Sequence, residues 1–104
     1  MIKSNELRIG NLVEKEGEIY VADFITINMA HNYNPIPLKP EILEKCGFIP
    51  TGLADFINGE IELWQVNNEF HYSVHDDYHI SINSVHQLQN LYFALTGEEL
   101  TIQL

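Results

Sequence analysis

An α+β fold is expected of this chain: a curved, mostly antiparallel sheet with one short helix near residues 40–46 and one long C-terminal helix near 85–96. Three observations predict it. Short β-prone runs are divided by Gly and Asn turns at 16–17, 58–59 and 67–68. Residues 84–97 carry apolar side chains at helical spacing, bounded by a start signal and a stop signal. The chain has 104 residues, 45% apolar, with no repeat and no low-complexity stretch. That length suits one α+β domain over 1–104 with a single core.

The elements follow in order. Gly10 and Asn11 open strands at 12–15 and 18–21, joined through Glu16 and Gly17. The second strand has room to continue through 24–27, and two twisted strands after the Gly10–Asn11 turn suggest an SH3-like start. Residues 31–40 hold three prolines and two asparagines, which deny them regular structure. Pro40 suits the first position of the short helix, and Gly47 stops it. Leu38 and Leu43 are placed to staple its start. Asn58–Gly59 and Asn67–Asn68 divide the next segment into strands near 53–57, 60–66 and 69–75, with a fourth near 78–82.

The long helix carries the clearest signals. Ser84 followed by Gln87 reads as a capping box. Val85, Leu88, Leu91, Tyr92 and Leu95 form one apolar stripe. Gly97 fits the left-handed position that ends a helix. The tail, 100–104, alternates apolar and polar residues and reads as a strand. It would pair within its own sheet or with a second copy of the chain, giving a homo-oligomer.

Charge narrows the function. The formal net charge is −10. All five fixed cations (Lys3, Arg8, Lys15, Lys39, Lys45) precede residue 46, and residues 46–104 hold eight acids with no Lys or Arg. A nucleic-acid binder needs clustered cations, so polyanions are poor partners. No apolar run approaches the roughly 20 residues of a membrane span. The start lacks the apolar core of a secretory signal, and one cysteine makes no internal disulfide, so a cytoplasmic protein is expected.

The candidate site comes from strand register. A two-residue turn at 67–68 sets Val66 opposite Glu69, Gln65 opposite Phe70, Trp64 opposite His71, Leu63 opposite Tyr72 and Ile61 opposite Val74. Ile61, Leu63, Phe70, Tyr72 and Val74 then share the core face, joined by Ile80 and Ile82. Glu62, Trp64, Val66, His71, Ser73 and His75 share the other. His79 and Ser81 join that second face only if the turn near Asp76 and Asp77 has an odd length or a bulge. Trp64 beside imidazoles can stack on a planar ligand or anchor a protein. The alternative is that the helix or another subunit covers this face and makes Trp64 core.

His71, His75 and His79 are also weak candidates for a metal site, with His75 and His79 opposite each other across the hairpin. Cys46 is expected to be buried rather than nucleophilic. Asp76–Asp77 and Glu98–Glu99 show no acid–base arrangement, and no phosphate-loop or hydrolase motif occurs. No cofactor and no catalytic residue is expected.

Three blocks resemble a group of small bacterial proteins often carried on phages and prophages: residues 5–13 (NELRIGNLV), residues 35–38 with the helix ending at Gly47 and Phe48, and residues 85–100 (VHQLQNLYFALTGEEL). The resemblance covers about a third of the chain and brings no reaction with it. Lys39 stands where such proteins tend to carry a better helix cap. The polar residues of the third block, His86, Gln89 and Asn90, lie off the apolar stripe and are a second candidate binding site; the alternative is a solvated helix face. The resemblance implies a non-catalytic accessory protein that blocks or sequesters a host component. That component would be a basic protein or a small nucleotide-like signal. The alternative is a metal-assisted hydrolase built on the histidines.

Overall fold

The computed structural model describes residues 2–52, 55–59, 61–75 and 78–103, the side chains of 74, 75 and 78 excepted. The chain forms two compact units: Met1–Pro37 with Ser84–Glu98, and Leu38–Asn83 with Glu99–Leu104. The fold is α+β throughout; the two hairpins at 16–17 and 67–68, the short helix and the long helix lie close to their expected bounds, while the extension over 24–27 and the C-terminal strand do not form.

The first unit opens with a 3-10 turn, Ser4–Glu6, in which the Glu6 carboxylate accepts the Lys3 N–H at 2.9 Å. Strands β1 (Leu12–Lys15) and β2 (Glu18–Val21) form a hairpin sheet of their own. Its turn places Glu16 at φ 54° and Gly17 at φ 84°, the left-handed pair that a tight hairpin requires. The sheet does not continue into 24–27, as the β-branched residues there had suggested. Those residues belong to helix α1 (Phe24–Asn28). Asp23 is the reason: its carboxylate accepts the Thr26 N–H at 2.8 Å and the Thr26 hydroxyl at 2.9 Å, an N-cap that outweighs strand propensity. A second 3-10 turn, Ala30–Asn32, follows. Asn34 then exchanges two backbone bonds with Glu14 on the free side of β1, at 2.7 and 2.9 Å.

The long helix of this unit spans Val85–Thr96 and is the third of the chain. Ser84 Oγ accepts the Gln87 N–H, and Gly97 ends the helix at φ 76° with its N–H donated to Phe93 O. The helix packs on β1. Its buried residues are Val85, His86, Leu88 and Gln89, while Leu95 is exposed. The buried face is therefore rotated from the expected apolar stripe towards two polar side chains. Ile2, Leu7, Val13 and Ala30 form a core cluster with Ile27 and Tyr33 against it.

The second unit begins with α2 (Pro40–Lys45), with Pro40 at its first position and Leu43 its buried residue. Gly47 at φ 85° turns the chain back so that Phe48 N–H reaches Leu43 O at 2.9 Å. A side chain here would also meet Asn58, since a Cβ on Gly47 would lie 3.2 Å from Asn58 Nδ2. That amide donates to Cys46 O at 3.0 Å.

An open five-stranded antiparallel meander follows: β3 (Ile49–Pro50), β4 (Asp55–Asn58), β5 (Ile61–Val66), β6 (Glu69–His75) and β7 (Tyr78–Ser81), paired in that order. The two-residue β3 carries no sequence signal. Phe56, Ile61, Leu63, Phe70 and Ile82 are buried, with Phe56 and Phe70 edge to face at 5.8 Å. Residues 100–103 are not the expected strand. Leu100 is buried, and Gln103 N–H makes a single bond to Lys45 O at the end of α2. That bond ties the tail to a helix end rather than to a sheet edge.

Candidate functional site

Asn67 and Asn68 adopt φ 52° and 70°, so the β5–β6 turn has two residues and fixes the register. Val66 pairs with Glu69, Gln65 with Phe70, Trp64 with His71 and Leu63 with Tyr72, as expected. On the far side Trp64 pairs with Asp55. Between β6 and β7 the register shifts at Ser73 to His75. This bulge is what lets Tyr72 meet Ile80 on the inner side while His71 meets Ser81 and Ser73 meets His79 on the outer. His79 therefore faces Ser73 and not His75, which pairs with Tyr78. The Asp76–Asp77 turn lies outside the described residues, as does the His75 side chain.

Three rings gather on the outer face. Trp64 and His71 have centroids 5.8 Å apart at an interplanar angle of 24°; Trp64 and His79 lie 5.7 Å apart at 13°; His71 and His79 lie 5.1 Å apart at 23°. The rings are nearly parallel and mutually offset, the arrangement that aromatic quadrupoles prefer, and each such pair contributes about 0.5–1.5 kcal/mol beyond burial. His71 is held on both sides: Ser81 Oγ lies 3.5 Å from Nδ1 and Glu69 Oε2 lies 3.6 Å from Nε2. Trp64 is half-buried, the His71 side chain is 15% exposed and His79 is exposed. Trp64 is thus not core, and it does not join Leu63 and Phe70.

The surroundings have one sign. Strand alternation puts Asp55, Glu62 and Glu69 on this face, and no Lys or Arg occurs from residue 46 onward. Exposed Val66 lies two residues beyond Trp64 on the same face. Asp55 was not anticipated; its pairing with Trp64 depends on a β4 register that sequence did not fix. As for metal, an imidazole ligates along a lone pair in its own plane, and near-parallel planes do not meet at a nearby point. Among the described residues no group of three His, Cys, Asp or Glu is arranged to hold a metal ion.

The second candidate set is placed differently. His86 is 2% exposed and Gln89 4%. Gln89 Oε1 accepts the Leu12 N–H at 2.7 Å, and its Nε2 donates to Gly10 O at 3.2 Å. Asn90 Nδ2 donates to Glu6 O at 2.9 Å, while its Oδ1 accepts from Arg8 Nε at 2.8 Å and from Asn11 Nδ2 at 3.0 Å. Asn11, fully buried, accepts the Arg8 N–H through Oδ1 at 2.6 Å. His86 sits between Ser84 Oγ (3.2 Å) and Glu6 Oε1 (3.4 Å). Arg8 also lies over the Phe93 ring, 4.4 Å from its centroid. These side chains spend their hydrogen bonds on the chain's own N-terminal segment, which leaves little for a partner. Neither a solvated face nor an open site is found there. Asn11 was read only as a turn residue, and no local pattern in sequence could have paired it with residues 78 and 79 positions away.

Cys46 is buried, and burial pushes its thiol up to about 11, so it is neither an ionised nucleophile nor a ready ligand at neutral pH. No family model, curated protein or solved structure matches the chain.

Proposed function

We propose that this chain is a non-catalytic accessory binding protein of the phage or prophage type, which holds a basic host protein on the outer face of its five-stranded sheet. The observation that carries the reading is the Trp64–His71–His79 ring group, with Trp64 half-buried and His79 exposed, bordered by Asp55, Glu62 and Glu69. An indole next to carboxylates is complementary to an arginine: the guanidinium stacks on the ring while its N–H groups face the acids. Such a contact blocks or sequesters whatever surface the arginine belongs to.

The same charges weigh against a nucleotide-like signal. Its phosphates would approach three carboxylates with no cation on the sheet to receive them. A histidine-based hydrolase gains no support from two near-parallel imidazoles. The tail, with one bond to Lys45, lends none to self-association through a C-terminal strand. Among the described residues no helix is long and apolar enough to cross a membrane. A cytoplasmic setting is proposed from the lone buried thiol.

The test is affinity capture from host lysate at two salt concentrations, with the native chain and Trp64→Ala in parallel. The reading expects one basic protein retained by the native chain, released by salt and at least ~10-fold depleted on the variant. Equal retention by both chains, or a captured protein that is acidic, would reject it.

A further inference from the structure

The first unit carries a second surface, one that does not depend on the Trp64 face. Helix α1 buries its threonine and exposes its hydrophobic residues: Thr26 is 6% exposed, Phe24 72% and Ile25 70%. The strand that leads into it is exposed along its whole length, including Ile19, Tyr20 and Val21. Ile9 lies alongside, because Gly10 N–H bonds Ala22 O and Ala22 N–H bonds Asn11 O. Exposed apolar residues thus gather on one hairpin strand, the helix that follows it and the turn beside it, as they do at interfaces.

The backbone says what kind. Glu14 turns its N–H and C=O outward to Asn34, and Leu12 turns its N–H to Gln89. Their partners across the hairpin are Ile19 and Val21. In an antiparallel pair both members of such a position point away from each other, so Ile19 and Val21 present N–H and C=O groups to the open edge of β2. Nothing pairs with that edge among the described residues. The other side of β1 is closed by Asn34, so growth of this sheet can occur at β2 alone.

Acids outnumber cations beside the edge: Glu16 and Glu18 lie on the hairpin and Asp23 at the start of α1, against Lys15 alone, which pairs across the hairpin with Glu18 and lies 5.5 Å from the Tyr33 ring centroid. A second copy of the chain would bring the same carboxylates and a further net charge of −10. We infer that β2 accepts an extended segment of a partner protein with alternating apolar and basic residues, added as a third strand. Its apolar side chains would lie beside Ile19 and Val21, and its basic ones opposite Glu18 and Tyr20.

A short labelled peptide alternating lysine and valine is the probe, titrated by fluorescence anisotropy into the Trp64→Ala chain so that the other face makes no contribution. Ile19→Pro removes one outward N–H and leaves the β1–β2 bonds intact. Val21→Lys places a charge on the exposed edge without touching the core. Both variants should keep the parent circular dichroism and weaken the peptide by at least ~10-fold, and a glutamate–valine peptide should not bind. Absence of binding by the lysine peptide, equal binding by folded Val21→Lys, or a concentration-dependent dimer that Ile19→Pro abolishes would each overturn the inference.

Discussion

Gln89 shows how much a single amide can hold. Its oxygen takes the Leu12 N–H and its nitrogen gives to Gly10 O, so one side chain closes two backbone groups of the entry to β1. Replacing it with leucine keeps the volume and leaves both part-buried groups without this partner. An unsatisfied buried group costs about 1–3 kcal/mol and a part-buried one less, so Gln89→Leu should lower stability by roughly 1–3 kcal/mol. Urea unfolding measures this; a loss under half a kilocalorie would show that water replaces the amide. Glu6 makes a second residue-scale prediction. The Lys3 N–H, chiefly, and the His86 contact hold its carboxyl below the ordinary value of 4.5, against the opposing effect of burial. A carboxyl lowered on folding contributes stability above its unfolded value, lost as pH falls through the folded one. Glu6→Gln should therefore flatten the acid limb of the stability curve below about pH 4.5, and superimposable limbs for the two chains would contradict this.

At the scale of elements, turns decide what the sheet presents. Asn67 and Asn68 both adopt left-handed backbone, which only Gly, Asn and Asp do without strain. Asn68→Gly should raise stability by a few tenths of a kcal/mol, whereas Asn68→Val should lower it by about 1–2 kcal/mol and broaden the Trp64 signal as the register loosens. Thermal unfolding followed by fluorescence reads both, and a valine variant as stable as the parent would mean that the turn does not set the register. These short-range signals are also what made the fold legible. Two-residue turns rich in Asn and Gly mark the hairpins, Ser84 and Gly97 mark the long helix almost to the residue, and the two-residue loop at 67–68 sets which residues share the outer face. What sequence did not reveal depended on competition or distance. The Asp23 cap overrode a β-branched run, a two-residue β3 left no pattern, and the C-terminal alternation found a helix end instead of a sheet. The polar residues of the long helix were visible as unusual, but their partners in residues 6–12 were not.

On the scale of the whole chain, the buried polar network and the proposed contact surface separate. Residues 5–13 and the start of the long helix are bonded to each other inside the first unit. Those blocks are accounted for as a folding device: Arg8, Asn11, Gln89 and Asn90 fasten the N-terminal segment to the helix. The proposed contact surface lies on the second unit. Its character is set by composition as much as by geometry, since an aromatic face without one lysine or arginine selects cations. The most direct measurement is a titration of the single Trp64 fluorescence with an arginine-rich peptide and, in parallel, with a nucleoside triphosphate. The account predicts saturable quenching by the peptide, weakened by salt, and none by the nucleotide. Quenching by the nucleotide with no response to the peptide would contradict it.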